Sequence, residues 1–207
     1  MKRIHGLIVS AALIAALAAC TPLPPVVTPS PTPTSSAVKP TPKPTPTVTV
    51  APLAIPACET LLPLATAQDL FSANTAFLGE QPASEFVGRM TVPSIPVVLG
   101  TARPAKGCLW GIPQSDGLFE LVVADVTDAQ RATLQAELTA AGYGETEMGT
   151  VTAFELAGEN EIGSTGTTHL FTGDVWIVCD GTSLSLSGAV TGSALDALRA
   201  ANPSLGL

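Results

Sequence analysis

Residues 168–179 read Thr-His-Leu-Phe-Thr-Gly-Asp-Val-Trp-Ile-Val-Cys, and this stretch decides the fold class. The pair Gly173-Asp174 separates two apolar runs, a pattern that predicts a tight turn between two antiparallel strands. Apolar or alternating residues predict further strands at residues 108–112, 118–124, 151–156 and 183–187. Because hairpins outnumber strand–helix–strand units, the sequence predicts an α+β domain, an antiparallel sheet with about three helices on one face.

Capping residues and apolar spacing predict the three helices. The clearest begins with the capping box of residues 127–130 and ends at Gly142, which supplies a left-handed stop. An earlier helix is predicted to begin near Thr66 and to carry Phe77 on its apolar face, and a later one to begin near Ser193.

One region between these elements lacks a clear period. Residues 79–105 contain four prolines, so we expect an irregular loop there, with a short strand around residues 97–99.

The amino terminus has the form of an export signal. Two basic residues precede the mostly apolar residues 4–19, and Cys20 follows directly. Residues 1–19 are therefore predicted to be a lipoprotein signal peptide and Cys20 the lipidated residue. Cleavage after residues 16–18 by an ordinary signal peptidase is an alternative, whereas residues 4–19 are short for a membrane span of about 20 residues.

Proline and threonine dominate the next segment, residues 20–52. Proline removes backbone donors and fixes φ, so the segment cannot form a helix or an inner strand. We expect a disordered, semi-rigid Pro/Thr stalk with a reach on the order of 100 Å when extended.

The remaining residues, 53–207, have the length of one domain and are strongly acidic. All 17 Asp and Glu residues of the chain lie there, against five Lys and Arg, so the formal net charge of this part is −12. Such a surface repels nucleic acid and anionic lipids, and we expect no nucleic-acid partner.

Three cysteines remain in the domain: Cys58, Cys108 and Cys179. Export to an oxidising compartment favours one disulfide and one leftover thiol. We favour Cys58–Cys108, which would pin the start of the domain, with Cys179 buried in an apolar strand; the two pairings that include Cys179 stay open. A zinc site is not expected, because the domain has no Cys-x-x-Cys and a single histidine.

The order Cys58-Glu59-Thr60-Leu61-Leu62 and then Gly107-Cys108-Leu109-Trp110, behind the leader and stalk, resembles a class of small actinobacterial cell-envelope lipoproteins. This resemblance implies a sensor-type α+β domain and supports the Cys58–Cys108 pairing. It implies no active site.

Candidate catalytic residues form no recognisable motif. His169 is the only domain histidine, and no Gly-x-Ser-x-Gly elbow accompanies it. The acidic residues around Gly158 match no calcium loop, and Asp174 and Asp180 are interpreted as turn residues rather than a hydrolytic pair. Trp110 and Trp176 are expected in the core.

Two functional hypotheses follow. The first is a non-enzymatic binding or sensing module, lipid-anchored through Cys20 on the extracytoplasmic face of the cell membrane, with an unidentified envelope ligand or protein as partner. The alternative is an envelope hydrolase with a site around His169. We assign no catalytic residue, cofactor or metal.

Overall fold

The hairpin around Gly173-Asp174 lies inside one antiparallel sheet, in which Thr172 pairs with Val175 across the turn. The computed structural model describes residues 51–89, 92–161 and 163–207. In these residues the sheet has seven strands: β1 Ala76–Gln81, β2 Ala105–Gly111, β3 Leu118–Asp125, β4 Gly144–Met148, β5 Val151–Asn160, β6 Gly163–Thr172 and β7 Val175–Gly181. Their spatial order is β1-β2-β3-β7-β6-β5-β4, and every neighbouring pair is antiparallel.

Helices cover both faces of this sheet. The α-helices are α1 Cys58–Leu61, α2 Leu64–Leu70, α3 Ser94–Thr101, α4 Asp128–Ala140 and α5 Leu184–Ala201, with a 3₁₀ helix at Ala83–Arg89. Helices α1, α2 and α5 pack on one face, and the 3₁₀ helix, α3 and α4 pack on the other. The α+β class is confirmed, but the expectation of helices on one face is wrong, because alternate residues of the central strands are apolar on both sides.

Strands β3 and β7 show this double burial. Leu121 and Ile177 belong to the core beneath α5, while Val122 and Val178 belong to the core beneath α3 and α4. Trp110 and Trp176 are fully buried, one in each core, as predicted.

The predicted capping box of α4 is confirmed. The hydroxyl of Thr127 accepts a hydrogen bond from the Gln130 amide, and the Gln130 side chain accepts one from the Thr127 amide. Gly142 follows the helix with φ +89°, the left-handed conformation expected of its stop.

The other two helix predictions are wrong in their limits. Helix α2 begins at Leu64 rather than Thr66, and Phe77 lies in β1 rather than on that helix. Helix α5 begins near residue 184, so the alternating residues 183–187 form its first turn and not a strand. The side chain of Ser183 accepts a hydrogen bond from the Leu186 amide and so caps this helix.

The region predicted as an irregular loop is largely structured. It contains the end of β1, the 3₁₀ helix and α3, and residues 97–99 are helical rather than a strand. Glu137 of α4 caps α3 from outside, since its carboxylate accepts hydrogen bonds from the amide and hydroxyl of Ser94, at 2.9 and 2.7 Å.

Two contacts fix the amino-terminal end of the domain. The side-chain amide of Asn202 bonds both backbone groups of Ala54, at 2.8 Å each. Cys58 and Cys108 form a disulfide with a Cα–Cα distance of 5.7 Å, the pairing that we favoured.

All described residues belong to one compact unit spanning residues 47–207. No described helix combines the length and apolarity that crossing a bilayer requires.

Candidate binding groove

Helix α5 lies along β6 and β7 and reaches β5 only in part, so the outer strands β5 and β4 are less covered on its side. The close approach of its first turn depends on Gly166, where a Cβ would lie 2.1 Å from the backbone of Ser183 and Leu184. The inward side of α5 is apolar and buried, with Leu186, Val190, Ala194 and Leu198 in the core.

A groove of about 340 Å³ runs between α5 and the outer strands, and we call it the α5 groove. Its floor consists of Val151, Ala153 and Leu170, which are only 4, 3 and 5 % exposed. Met148 of β4 forms the outer rim and is 55 % exposed. The groove is therefore an apolar slot whose floor is largely shielded from water.

Two glycines leave the helical wall of the groove without side chains. A Cβ at Gly192 would meet no atom within 4 Å, and one at Gly188 would lie 3.6 Å from Oε1 of Glu155. Leu195 continues the same wall one turn further on. The missing side chains therefore provide much of the groove's width.

The groove carries opposite charges at its two ends. At the Gly188 end, Oε1 of Glu155 lies 3.4 Å from the hydroxyl of Thr168, which is itself 2.8 Å from the hydroxyl of Ser187. Thr168 and Ser187 are buried, whereas Glu155 and Gly188 are partly exposed.

Arg199 stands at the opposite, open end, with 41 % of its side chain exposed. Its Nε donates to the backbone oxygen of Leu207 at 2.9 Å, and Nη1 lies 3.7 Å from the carboxylate of Asp196. These contacts orient the guanidinium and engage few of its five N–H donors.

His169 lies in the opposite core, away from the α5 groove. It is fully buried, its ring lies parallel to Trp176, and Tyr143 meets it edge-on. Its Nδ1 accepts a hydrogen bond from Nε1 of Trp176 at 3.2 Å, while no polar atom of the described residues partners Nε2. Burial lowers the pKa of His169 to about 3.

Cys179 is buried and unpaired on β7, and Leu121 lies between it and Cys108 on the intervening strand. Two strand spacings of about 4.8 Å exceed the Cα separation that a disulfide spans. Burial first, and then the charges of Asp180 and Glu120, raise the pKa of the Cys179 thiol well above its usual value. The predicted lipidation residue Cys20 lies outside the described residues.

The carboxylates considered from the sequence do not converge. No group of three His, Cys, Asp or Glu side chains within the described ranges is placed to hold a metal ion. Asp174 lies in the β6–β7 turn, but Asp180 lies on β7 and accepts a hydrogen bond from Thr167 at 2.7 Å, so its interpretation as a turn residue is wrong. The two are six strand residues apart, about 20 Å, too far for a hydrolytic pair.

A second depression of about 650 Å³ lies under the β5–β6 hairpin. Asp116, Glu159 and Asp180 contribute three carboxylates to its lining. It is therefore more polar than the α5 groove and lacks the floor of buried aliphatic side chains found there.

Comparison with protein families, with curated proteins and with solved structures finds no match to this chain. The α5 groove and its charged ends therefore carry the functional argument. None of Gly188, Gly192 and Arg199 was singled out from the sequence as a site residue. The sequence signal that was overlooked is the four-residue spacing of Gly188 and Gly192, which places both glycines on one face of a helix.

Proposed function

We propose that this protein is a cell-envelope lipoprotein whose acidic domain is a non-enzymatic binding module displayed outside the cytoplasmic membrane. The leader ending at Cys20 and the stalk over residues 20–52 support the lipid anchor, with the bilayer as partner through the acyl chains. The resemblance to small actinobacterial envelope lipoproteins supports the same placement.

The α5 groove carries the binding part of the proposal. Its volume lies in the range of about 300–1,000 Å³ usual for small-molecule sites, and it combines an apolar floor with a few polar groups at defined places. The one hydroxyl of the groove that lies beside a carboxylate, that of Thr168 near Glu155, is buried and hydrogen-bonded to Ser187, which does not favour a role as a nucleophile.

The hydrolase alternative needs a cavity in which His169 meets a serine and a carboxylate. His169 is fully buried and lines none of the described cavities, so no observation favours this second function.

Metabolic labelling with a fatty acid tests the anchor. The wild-type chain should incorporate label and sediment with membranes, whereas Cys20→Ala should do neither. Equal labelling of the two proteins would refute lipidation at Cys20.

Binding of a neutral apolar dye, N-phenylnaphthylamine, tests the groove. Dye fluorescence should rise with the wild-type domain and fall several-fold with Gly192→Met, which fills the slot. Gly100→Met is the matched control, because Gly100 is also helical and a Cβ there also meets nothing within 4 Å. Equal fluorescence with both variants would refute the groove as a binding site.

A further inference from the structure

We propose that the α5 groove binds the alkyl chain of an anionic amphiphile, with the anionic head beside Arg199 and the chain running past Leu195 towards Ala153. This inference rests on the proposed function, because it names the ligand class of the same groove. Its support is the lining of the slot, the positive charge of Arg199 at one end and the carboxylate of Glu155 at the other.

The lining favours an aliphatic chain over a peptide. The floor is the face of a hydrogen-bonded sheet and the wall is a continuous helix, so the backbone groups on both sides are already paired. An extended peptide laid in the slot would find few partners for its own amides and carbonyls, which are costly to bury unpaired. An alkyl chain carries no polar groups along its length and avoids this cost.

The floor and the volume of the slot fit the same ligand. Val151, Ala153 and Leu170 make the floor apolar, and a volume of about 340 Å³ suits an alkyl chain or another small apolar group rather than a helix. Gly192 provides the space, and the flexible thioether side chain of Met148 stands at the rim, where it can close over a chain.

The head group is assigned by the charge at the open end. An anionic head is attracted by the guanidinium of Arg199 and repelled by the carboxylate of Glu155, and the 41 % exposed Arg199 side chain lets the head stay in contact with water. Most of the domain's excess negative charge acts over distances at which salt screens it, with a Debye length of about 8 Å at physiological ionic strength. Asp196, 3.7 Å from Nη1, offsets part of the Arg199 charge, but most of the five N–H donors of the guanidinium are still available to an anionic head.

The inner carboxylate limits the length of the chain. Gly192 lies seven residues before Arg199 on α5, about 10 Å along the helix axis, and Glu155 lies beside Gly188, one further turn inwards. Methylenes that fill the first part lose contact with water, whereas a chain that reaches Glu155 also desolvates its carboxylate. Affinity should rise with chain length and then level off.

Displacement of N-phenylnaphthylamine by hexanoate, octanoate, decanoate and dodecanoate, with the matching alkanols, tests this inference. Each added methylene should strengthen binding about fourfold until the slot is full. Octanoate should bind about tenfold tighter than octanol, and Arg199→Gln should abolish this preference. Arg103→Gln is the control, because Arg103 lies just after α3 as Arg199 lies in the last turn of α5, and Arg103 does not line the groove.

A second variant tests the limit on length. Glu155→Leu removes the inner charge, so the preferred alkanoate should become longer than that of the wild type. An unchanged optimum would contradict the role assigned to Glu155.

The outcomes separate this inference from the proposed function. If the dye binds in the groove but alkanoates displace it no better than alkanols, or Arg199→Gln leaves the preference intact, the ligand class is wrong and the binding module stands. If Gly192→Met leaves dye binding unchanged, both fail. Gly192→Ala adds one methyl group in open space and should weaken binding of the longest alkanoates first. This smaller change keeps the groove testable if Gly192→Met does not fold.

Discussion

Replacement of His169 by phenylalanine should remove a large part of the acid sensitivity of this domain. In the folded protein the imidazole is neutral, since Nδ1 accepts the Trp176 hydrogen bond and the pKa is about 3. In the unfolded chain the pKa returns to about 6.5. Protonation of His169 in the folded protein would bury a charge. It would also place a proton on Nδ1, which would then face the N–H of Trp176 instead of accepting its hydrogen bond.

The sign follows from proton binding by the two states. Below pH 6.5 the unfolded chain binds a proton at His169 that the folded chain does not bind, so the free energy of unfolding falls as the pH falls. The loss is about 1.4 kcal/mol per pH unit and reaches about 5 kcal/mol near pH 3. This is comparable with the whole stability of a typical domain.

Urea unfolding of wild type and His169→Phe between pH 7 and pH 4 measures this effect. The two proteins share all other titrating groups, so the difference between their unfolding free energies isolates His169. That difference should shift by about 3 kcal/mol over this range in favour of the variant. A difference that stays constant with pH would refute the reasoning. NMR of the imidazole gives a second measurement on the wild type, where His169 should remain neutral down to pH 4.

Three further predictions concern stability and reactivity. Joint replacement of Cys58 and Cys108 by alanine should lower the free energy of unfolding by about 4 kcal/mol, because the disulfide joins residues 50 apart; unchanged denaturant midpoints would contradict this. Cys179 should resist iodoacetamide in the native domain and react after denaturation, as mass spectrometry would show; rapid native labelling would contradict its burial. Thr127→Ala should cost about 1 kcal/mol in chemical denaturation through loss of the α4 cap, whereas Thr133→Ala, within the same helix, should cost nothing or stabilise.

The features predicted correctly depend on neighbours in sequence. The β6–β7 turn needs only Gly173-Asp174 and its flanking runs, and the α4 cap needs only residues 127–130. Local hydrogen bonds and local side-chain alternation determine both, so a single sequence contains the required information.

The features missed depend on distant partners. Residues 97–99 have strand-like side chains, yet they are helical because Glu137, 43 residues beyond Ser94, caps the start of α3. Pro96 fits there because the first turn of a helix needs no amide donor. Serine and leucine alternate over residues 183–187, which is the period of a strand. In the structure Ser183 caps α5 and the residues after it form the first turn of the helix.

The candidate site was missed for a related reason. The α5 groove is the space between α5 and the outer strands β5 and β4. How many strands a helix covers depends on the whole sheet, so no local sequence pattern predicts this space. Arg199 entered the sequence argument only as one of five basic residues, since its place at the mouth of the groove depends on where α5 ends.

The Cys58–Cys108 bond also determines how the domain responds to mechanical load. Tension applied to the chain before Ala54 first meets the Asn202 contacts and then passes through one covalent link into β2, the second strand of the sheet. Residues 59–107, with α1, α2, β1 and α3, lie outside this force path and cannot be extended while the bond is intact. Reduction of the Cys58–Cys108 bond would allow residues 59–107 to extend under load, so a rigid attachment would become a compliant one.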